Sequence, residues 1–201
     1  MSEKTSPIVH PLNMGDVLAY GYVGSRLYGL VDDQSDIDLA VIGLAGTPTT
    51  HVLRDNMDYR LYSLNSFLER LNDTRLSETD LLMSGTLVFE NTGYEPYFKA
   101  FRVNANKYMA GCEKIVGAAF KVVSPNLTEN YREYKLLKNA IRSGILGNRM
   151  DKYRNHFNPV FTESQKEIYW NLVEEYTERF RRGENRYKML HHLNVACSSV
   201  A

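Results

Sequence analysis

Cysteine is scarce in this chain, with only Cys112 and Cys197 among 201 residues and no Cys-x-x-Cys pair. That scarcity argues against a disulfide framework and against a thiolate zinc site. Long apolar runs are also lacking, since a stretch such as Leu39–Leu44 is far too short to span a bilayer. The first fifteen residues carry neither the basic nor the apolar segment of a secretory signal. The sequence therefore predicts a cytoplasmic protein that does not associate with membranes.

Net charge is absent as well, because 24 Lys and Arg balance 24 Asp and Glu. A neutral chain is not expected to coat nucleic acid or membrane through bulk charge alone. The balance conceals an asymmetry along the chain. Residues 1–100 hold 7 basic and 14 acidic side chains, a net charge of −7, and residues 101–201 hold 17 and 10, a net charge of +7.

The first half of the chain has the pattern of an α/β protein. Val17–Val23 is rich in β-branched and aromatic residues and predicts a buried strand, and Ile37–Ile42 and Met57–Tyr62 predict two more. Ser63 follows the third strand as a predicted N-cap of an amphipathic helix.

The second half is predicted to be helical, with a soft domain boundary near residue 100. We accordingly divide the chain into a core of residues 1–100 and a basic, helical region of residues 101–201. Pro125 and Pro159 separate the helices of the second half. The predicted helices are Tyr94–Phe101, Asn104–Phe120, Leu127–Leu146, Glu163–Arg182 and Asn185–Cys197.

A glycine–serine pair, Gly24-Ser25, ends the first predicted strand. Such a pair lets backbone amides and a hydroxyl approach an anion without a Cβ in the way. Ten residues further on, Asp36 and Asp38 stand two positions apart, so both carboxylates are expected on one face of the second strand. Two crowded carboxylates require a cation, and oxygen ligands suit Mg²⁺.

Asp58, on the third predicted strand, is expected to point to the same side, with Asp55 as the neighbouring alternative. Three carboxylates beside a phosphate-gripping turn can hold two metal ions about 4 Å apart, an arrangement suited to nucleotidyl transfer. Taken singly, a Gly-Ser pair is usually a turn and an Asp-x-Asp pair is usually solvated. Their combination at this spacing predicts nucleotide chemistry.

The string of Gly-Ser, ten residues and Asp-Ile-Asp-Leu resembles the signature of the DNA polymerase β-type nucleotidyltransferase superfamily. Within it, GSRLYG followed by SDIDL is most similar to predicted nucleotidyltransferases linked to RNA repair in bacteria and phages. Minimal nucleotidyltransferases of toxin–antitoxin systems share the same short motif. The resemblance covers roughly residues 17–62. It implies an α/β (α+β) nucleotidyltransferase-type core with a short mixed sheet, and host cytoplasm as the location if a phage encodes the chain.

The resemblance also implies roles for single residues. Gly24 and Ser25 are implied to bind the triphosphate, and Asp36, Asp38 and Asp58 to bind Mg²⁺ or Mn²⁺. Arg26, in the same motif, is a further candidate for binding the nucleotide. Asp58 is further implied to help deprotonate the attacking hydroxyl. The implied donor is an NTP, with ATP favoured.

A basic row, Lys135, Lys138 and Arg142, follows one side of the predicted helix Leu127–Leu146 at spacings of three and four. Two interpretations stay open: the solvated flank of a core helix, or a row that faces the carboxylates and neutralises a triphosphate or RNA backbone. A second basic cluster near the C-terminus has two interpretations as well, a helix end that favours cations or an RNA contact. Its members are Arg179, Arg181, Arg182, Arg186 and Lys188.

These features lead to one leading hypothesis and two alternatives. The leading hypothesis is a Mg²⁺-dependent nucleotidyltransferase that moves an NMP from an NTP to a hydroxyl acceptor, with RNA, such as a tRNA end, as the acceptor. The first alternative keeps the chemistry and transfers AMP to a protein. The second is a non-catalytic, antitoxin-like or inhibitory binding protein of the same fold, against which the intact set of carboxylates argues.

Overall fold

A five-stranded mixed sheet forms the first half of the protein, in a computed structural model that describes residues 17–44, 50–54 and 57–200. The strands are β1 Val17–Val23, β2 Ile37–Gly43, β3 Thr50–Arg54, β4 Met57–Ser63 and β5 Val88–Phe89. Their order is β3-β4-β2-β1-β5. β2 and β4 run parallel to each other, and the remaining neighbours are antiparallel.

Helices connect and follow these strands. In the described ranges they are α1 Ser25–Tyr28, α2 Leu64–Asn72, α3 Leu76–Met83, α4 Glu95–Ala100, α5 Ala105–Val122, α6 Tyr131–Lys152, α7 Glu163–Arg181 and α8 Arg186–Val200. The predicted α+β class, a short mixed sheet followed by a helical C-terminal part, is confirmed. None of the helices in the described part of the chain is both long enough and apolar enough to cross a membrane.

The predicted strands and helices lie close to their observed positions. β1 has the predicted bounds, and β2 and β4 are each one residue longer. Ser63 caps α2 by accepting a hydrogen bond from the Ser66 amide at 3.2 Å. The largest shift is at α6, which spans Tyr131–Lys152 rather than the predicted Leu127–Leu146. Asn130 caps its start, and its end lies at Lys152 rather than Leu146.

The two faces of the sheet have different neighbours. Leu39 and Val41 of β2 pack in a small cluster with Tyr20 and Tyr59. Ala40 and Ile42 point to the opposite face and join the main core with the helices. Because side chains alternate along a strand, Asp38 lies on this helix-covered face.

Helix α6 runs through the middle of the helical part and packs against α5, α7 and α8. Leu137, Ile141 and Ile145, which follow one another at intervals of four residues along α6, are fully buried. Tyr131, at the start of α6, has an exposed side chain, and its hydroxyl donates to the Gln34 carbonyl at 2.9 Å. The first turns of α6 therefore face the N-terminal end of β2 across a gap.

Candidate active site

A cleft of about 340 Å³ lies between the N-terminal ends of β2 and β4 on one side and the first turns of α6 on the other. The motif that contains Gly24-Ser25 and Asp36-x-Asp38 lines this cleft, and so does the basic row of α6, although the sequence predicted the two independently. Gly24, Ser25, Asp36, Asp38, Asp58 and Arg60 line the sheet side, and Tyr131, Lys135, Lys138, Asn139 and Arg142 line the α6 side. We call these two sides the acidic wall and the α6 wall.

Gly24 lies between β1 and α1 with φ +64° and ψ −149°, a backbone conformation that is open essentially only to glycine. A Cβ at this position would also collide with the Asp38 carboxylate. The Gly24 backbone and the Asp38 side chain are therefore in close contact, and both requirements exclude any larger residue. This contact explains why the glycine and the second aspartate of the motif belong together.

The acidic wall owes its geometry to strand register. Asp38 on β2 and Asp58 on β4 are directly paired neighbours in the parallel part of the sheet, so their side chains share a face. Asp36 comes one residue before β2 and is the most exposed of the three, at 64% of its side chain, against 35% for Asp58 and 15% for Asp38. Asp55, the alternative to Asp58, lies outside the described residues.

Each carboxylate of the acidic wall contacts a basic side chain at a long distance. Lys135 Nζ lies 3.3 Å from Asp36 Oδ2, Arg60 Nη2 lies 3.5 Å from Asp38 Oδ1, and His51 Nδ1 lies 3.6 Å from Asp58 Oδ1. Partly exposed pairs of this kind contribute roughly 0–1 kcal/mol. A ligand that offers stronger partners is therefore able to displace them.

Arg60 is a cleft residue that the sequence reasoning missed. It lies two positions after Asp58 on β4, so strand alternation alone would have placed both side chains on one face. Its Nε is buried and lacks a hydrogen-bond acceptor among the described residues. A buried donor without an acceptor is costly, so this atom favours a ligand oxygen in the cleft.

Lys138 is held more tightly than its neighbours on α6. Its side chain is only 9% exposed, and Nζ lies 2.7 Å from Asp32 Oδ2. Burial tends to raise the pKa of Asp32, but hydrogen bonds from Lys138 and Ser35 outweigh it and hold that pKa below its ordinary value. This pair ties the loop of residues 30–36, which leads into Asp36, to the α6 wall.

Arg142 lies over an aromatic ring, with its guanidinium carbon 4.2 Å from the centre of the Tyr28 ring. The Tyr28 hydroxyl donates to Asp80 at 2.6 Å, and the Tyr108 hydroxyl donates to the other oxygen of Asp80 at 2.5 Å. Burial raises the pKa of Asp80 to about 6, although both hydrogen bonds and nearby Arg142 act against that rise. The orientation of Arg142 thus depends on a buried carboxyl group behind the cleft.

Arg26, although part of the motif, does not line the cleft. It is exposed, and its guanidinium lies 6.0 Å from the centre of the Tyr22 ring. The C-terminal basic cluster also lies outside the cleft and is largely engaged within the chain. Arg179 pairs with Glu175 and Glu184, Arg181 pairs with Glu178, and Arg186 donates to backbone carbonyls of residues 120, 121 and 123.

The oxygen donors of the acidic wall suit a hard cation by their chemistry. Asp38 and Asp58 are adjacent on one face, and Asp36 lines the same cleft. In ranges 17–44, 50–54 and 57–200, however, no three carboxylate, histidine or cysteine side chains are arranged as a ready metal cluster. The residues fit Mg²⁺ whose remaining ligands are phosphate oxygens and water, which is how Mg²⁺ is usually bound.

Comparison with protein-family models and with curated protein sequences gives no match. Among solved structures, the chain is similar to a nucleotidyltransferase-like protein from Exiguobacterium sibiricum 255-15. The match has 14% sequence identity and a TM-score of 0.32, and covers 92% of this chain and 68% of the other.

Proposed function

We propose that the protein is a nucleotidyltransferase that moves an NMP from an NTP to a hydroxyl acceptor. The observation that supports this function best is the meeting of two opposite walls in one cleft. Asp36, Asp38 and Asp58 form one wall, and Lys135 and Arg142 stand on the other. A nucleoside triphosphate with a bound divalent cation carries the charges that complement both walls.

The proposed reaction is an in-line displacement at the α-phosphorus. The acceptor hydroxyl oxygen forms a new bond to that phosphorus, and the bond between the α-phosphorus and the bridging oxygen breaks. Pyrophosphate leaves with the bonding electrons, and the hydroxyl proton passes to the Asp58 carboxylate. Developing negative charge on the phosphates is stabilised by fixed cations on the α6 wall.

Asp36, Asp38 and Asp58 would hold Mg²⁺, or Mn²⁺, which when bound neutralises phosphate charge at the reacting centre. Gly24 leaves room for the Asp38 carboxylate against the backbone, and the neighbouring Ser25 hydroxyl donates to phosphate oxygens. Arg60 Nε supplies a further donor, since it lacks an acceptor among the described residues.

The cations of the α6 wall have two roles: some bind phosphates, and one holds a loop in place. Lys135 is half exposed and weakly paired, so it can move onto a phosphate. Arg142 offers its outer nitrogens while its face stays on Tyr28. Lys138 is already paired with Asp32 and is therefore assigned to holding the loop of residues 30–36 in place.

RNA, such as a tRNA end, is the acceptor we propose, with ATP as the favoured donor, because the second half of the chain carries a net charge of +7. A non-catalytic binding protein is the competing function. It is favoured by the fact that all three carboxylates contact basic side chains of the same chain.

The test is incubation of the protein with each α-labelled NTP, Mg²⁺, and either total RNA or cell lysate. Label in an RNA band supports the proposed function, and label in a protein band redirects it to AMP transfer onto protein. The Asp36→Asn/Asp38→Asn variant is expected to abolish transfer. Asp33→Asn is the matched control, because Asp33 is exposed and does not line the cleft. Equal labelling by the double variant and the wild type would contradict catalysis.

A further inference from the structure

A second groove, of about 730 Å³, adjoins the cleft between α3 and α5. The two share Tyr28, Ser77 and Arg142 in their linings, so the groove continues directly into the candidate active site. We call it the α3–α5 groove. Its rim includes Arg75 before α3, and Lys107 and Lys114 on α5.

The rim cations of the α3–α5 groove have no assigned partners. Arg75, Lys107 and Lys114 are exposed, and in the part of the chain that the structure describes none of them has an ion pair. Lys107 and Lys114 are two helical turns apart, about 10 Å along the axis of α5. The groove therefore presents separated positive charges rather than one charge centre.

The acids of the groove do not cancel this charge. Glu78 is buried and accepts hydrogen bonds from Tyr62 and Arg70 at 3.0 and 3.2 Å. Asp80 is buried and accepts from two tyrosine hydroxyls. Asp73 is the exposed acid in the lining, against three exposed cations without ion pairs. The rim of the groove therefore carries an excess of positive charge that attracts a polyanion. The carboxyl groups in its floor are already hydrogen-bonded.

We propose that the α3–α5 groove binds the single-stranded end of an RNA acceptor and delivers its terminal hydroxyl past Arg142 into the cleft. This inference rests on the proposed function. Charges spaced along a groove match the repeating phosphates of a nucleic acid strand, whereas a polypeptide backbone carries no such repeat. Arg75, Lys107 and Lys114 contact phosphates, which position the strand without selecting its sequence.

The experiment measures binding of a fluorescein-labelled 12-nucleotide single-stranded RNA by fluorescence anisotropy at several salt concentrations. Two charge-matched triple variants are compared with the wild type: Arg75→Ala/Lys107→Ala/Lys114→Ala in the groove, and Arg182→Ala/Lys121→Ala/Lys188→Ala on the C-terminal side. Both sets contain one arginine and two lysines, all exposed. Thermal melting checks that each variant is folded.

The groove variant is expected to bind the RNA at least tenfold more weakly. The slope of the logarithm of its RNA association constant against the logarithm of the salt concentration is expected to become shallower by about 2. Each contact to a phosphate of single-stranded RNA contributes roughly 0.7 to that slope, and the variant loses three such contacts. The C-terminal variant stays within twofold of the wild type. Arg75→Lys/Lys107→Arg/Lys114→Arg keeps the charge and restores binding, which a purely structural role would not predict.

Wild-type RNA affinity in the groove variant would overturn the inference, and so would a loss confined to the C-terminal variant. A groove variant that retains RNA binding but no longer labels a protein in lysate would overturn it in favour of a protein acceptor. Binding of a fluorescent ATP analogue tests the proposed function separately, because it depends on the cleft and not on the groove. A wild-type protein that binds the RNA through the groove but no nucleotide would contradict the proposed function.

Discussion

The two walls of the cleft are held in place in different ways. The carboxylates of the acidic wall contact their basic partners at 3.3 to 3.6 Å, and Asp36 and Asp58 remain substantially exposed. On the α6 wall, Lys138 is buried and paired at 2.7 Å, and Arg142 lies on an aromatic ring. The acidic wall is thus ready to exchange partners, while Lys138 and Arg142 form a rigid part of the α6 wall.

This difference separates effects on activity from effects on stability. Removing an acid from the acidic wall breaks a contact of 3.3 to 3.6 Å, which is too long to contribute much folding free energy. Removing a cation from the rigid part of the α6 wall leaves a carboxylate unpaired where it has limited access to water. This loss is expected to cost several times more folding free energy. Substitutions on the two walls are therefore expected to give opposite patterns.

The largest effect on activity is expected for Asp38→Asn. The amide keeps the shape next to Gly24 but removes the charge, so nucleotide transfer falls on the order of 10³-fold. The melting temperature should stay within about 2 °C of the wild type, since the contact to Arg60 is worth little. Labelled-NTP transfer and thermal melting check the two halves of this prediction. A large fall in melting temperature would show that the acidic wall is structural.

The next effect distinguishes two lysines on the same helix. Lys138→Met leaves Asp32 without its main partner and should lower the free energy of unfolding by about 2 kcal/mol. Lys135→Met should change it by less than about 0.5 kcal/mol but raise the KM for the NTP about tenfold. Urea unfolding and steady-state kinetics on both variants measure the contrast. Equal destabilisation by both substitutions would remove the distinction between a rigid and an exchangeable cation.

A smaller effect is expected for Arg142→Lys. Lysine keeps the positive charge but loses the planar face that lies on Tyr28 and the two-pronged donor geometry. Transfer should fall about tenfold, with folding stability changed by less than about 1 kcal/mol. Rates measured at saturating and at limiting NTP concentrations show whether the substitution lowers kcat or raises the KM for the NTP. Full activity in this variant would mean that charge alone, and not orientation, matters at this position.

The pH dependence of stability tests the carboxyl group behind the α6 wall. Burial raises the pKa of Asp80 to about 6 from 3.8 in the unfolded chain. Its contribution to stability is therefore complete below about pH 3.8 and lost as the pH rises through about 6, by up to roughly 3 kcal/mol. Asp80→Asn, which keeps an acceptor oxygen, should remove that component. Parallel pH profiles for both proteins would contradict it.

The sequence predicted the acidic wall better than the supports of the α6 wall, for a physical reason. Asp36, Asp38 and Gly24 lie within one strand–turn–strand unit, where alternation and chain geometry fix their relations. The hydrogen bonds of Asp80 join it to Tyr28 and Tyr108, 52 and 28 positions away, so only tertiary packing brings them together. The two strands that were missed are also weakly patterned: β5 has two residues, and β3 contains His51 and Arg54.

The smallest effect is expected for Tyr131→Phe, at the outer edge of the cleft. The Tyr131 hydroxyl donates to the Gln34 carbonyl, one of the contacts that join the loop of residues 30–36 to α6. The contact is exposed, so its loss should cost less than about 1 kcal/mol and change transfer about twofold or less. Combined with Lys138→Met, however, it should cost more than the sum of the two single changes, because both residues hold the same loop. Urea unfolding of the two single variants and the double variant measures this coupling. Strict additivity would show that Tyr131 and Lys138 hold the loop independently of each other.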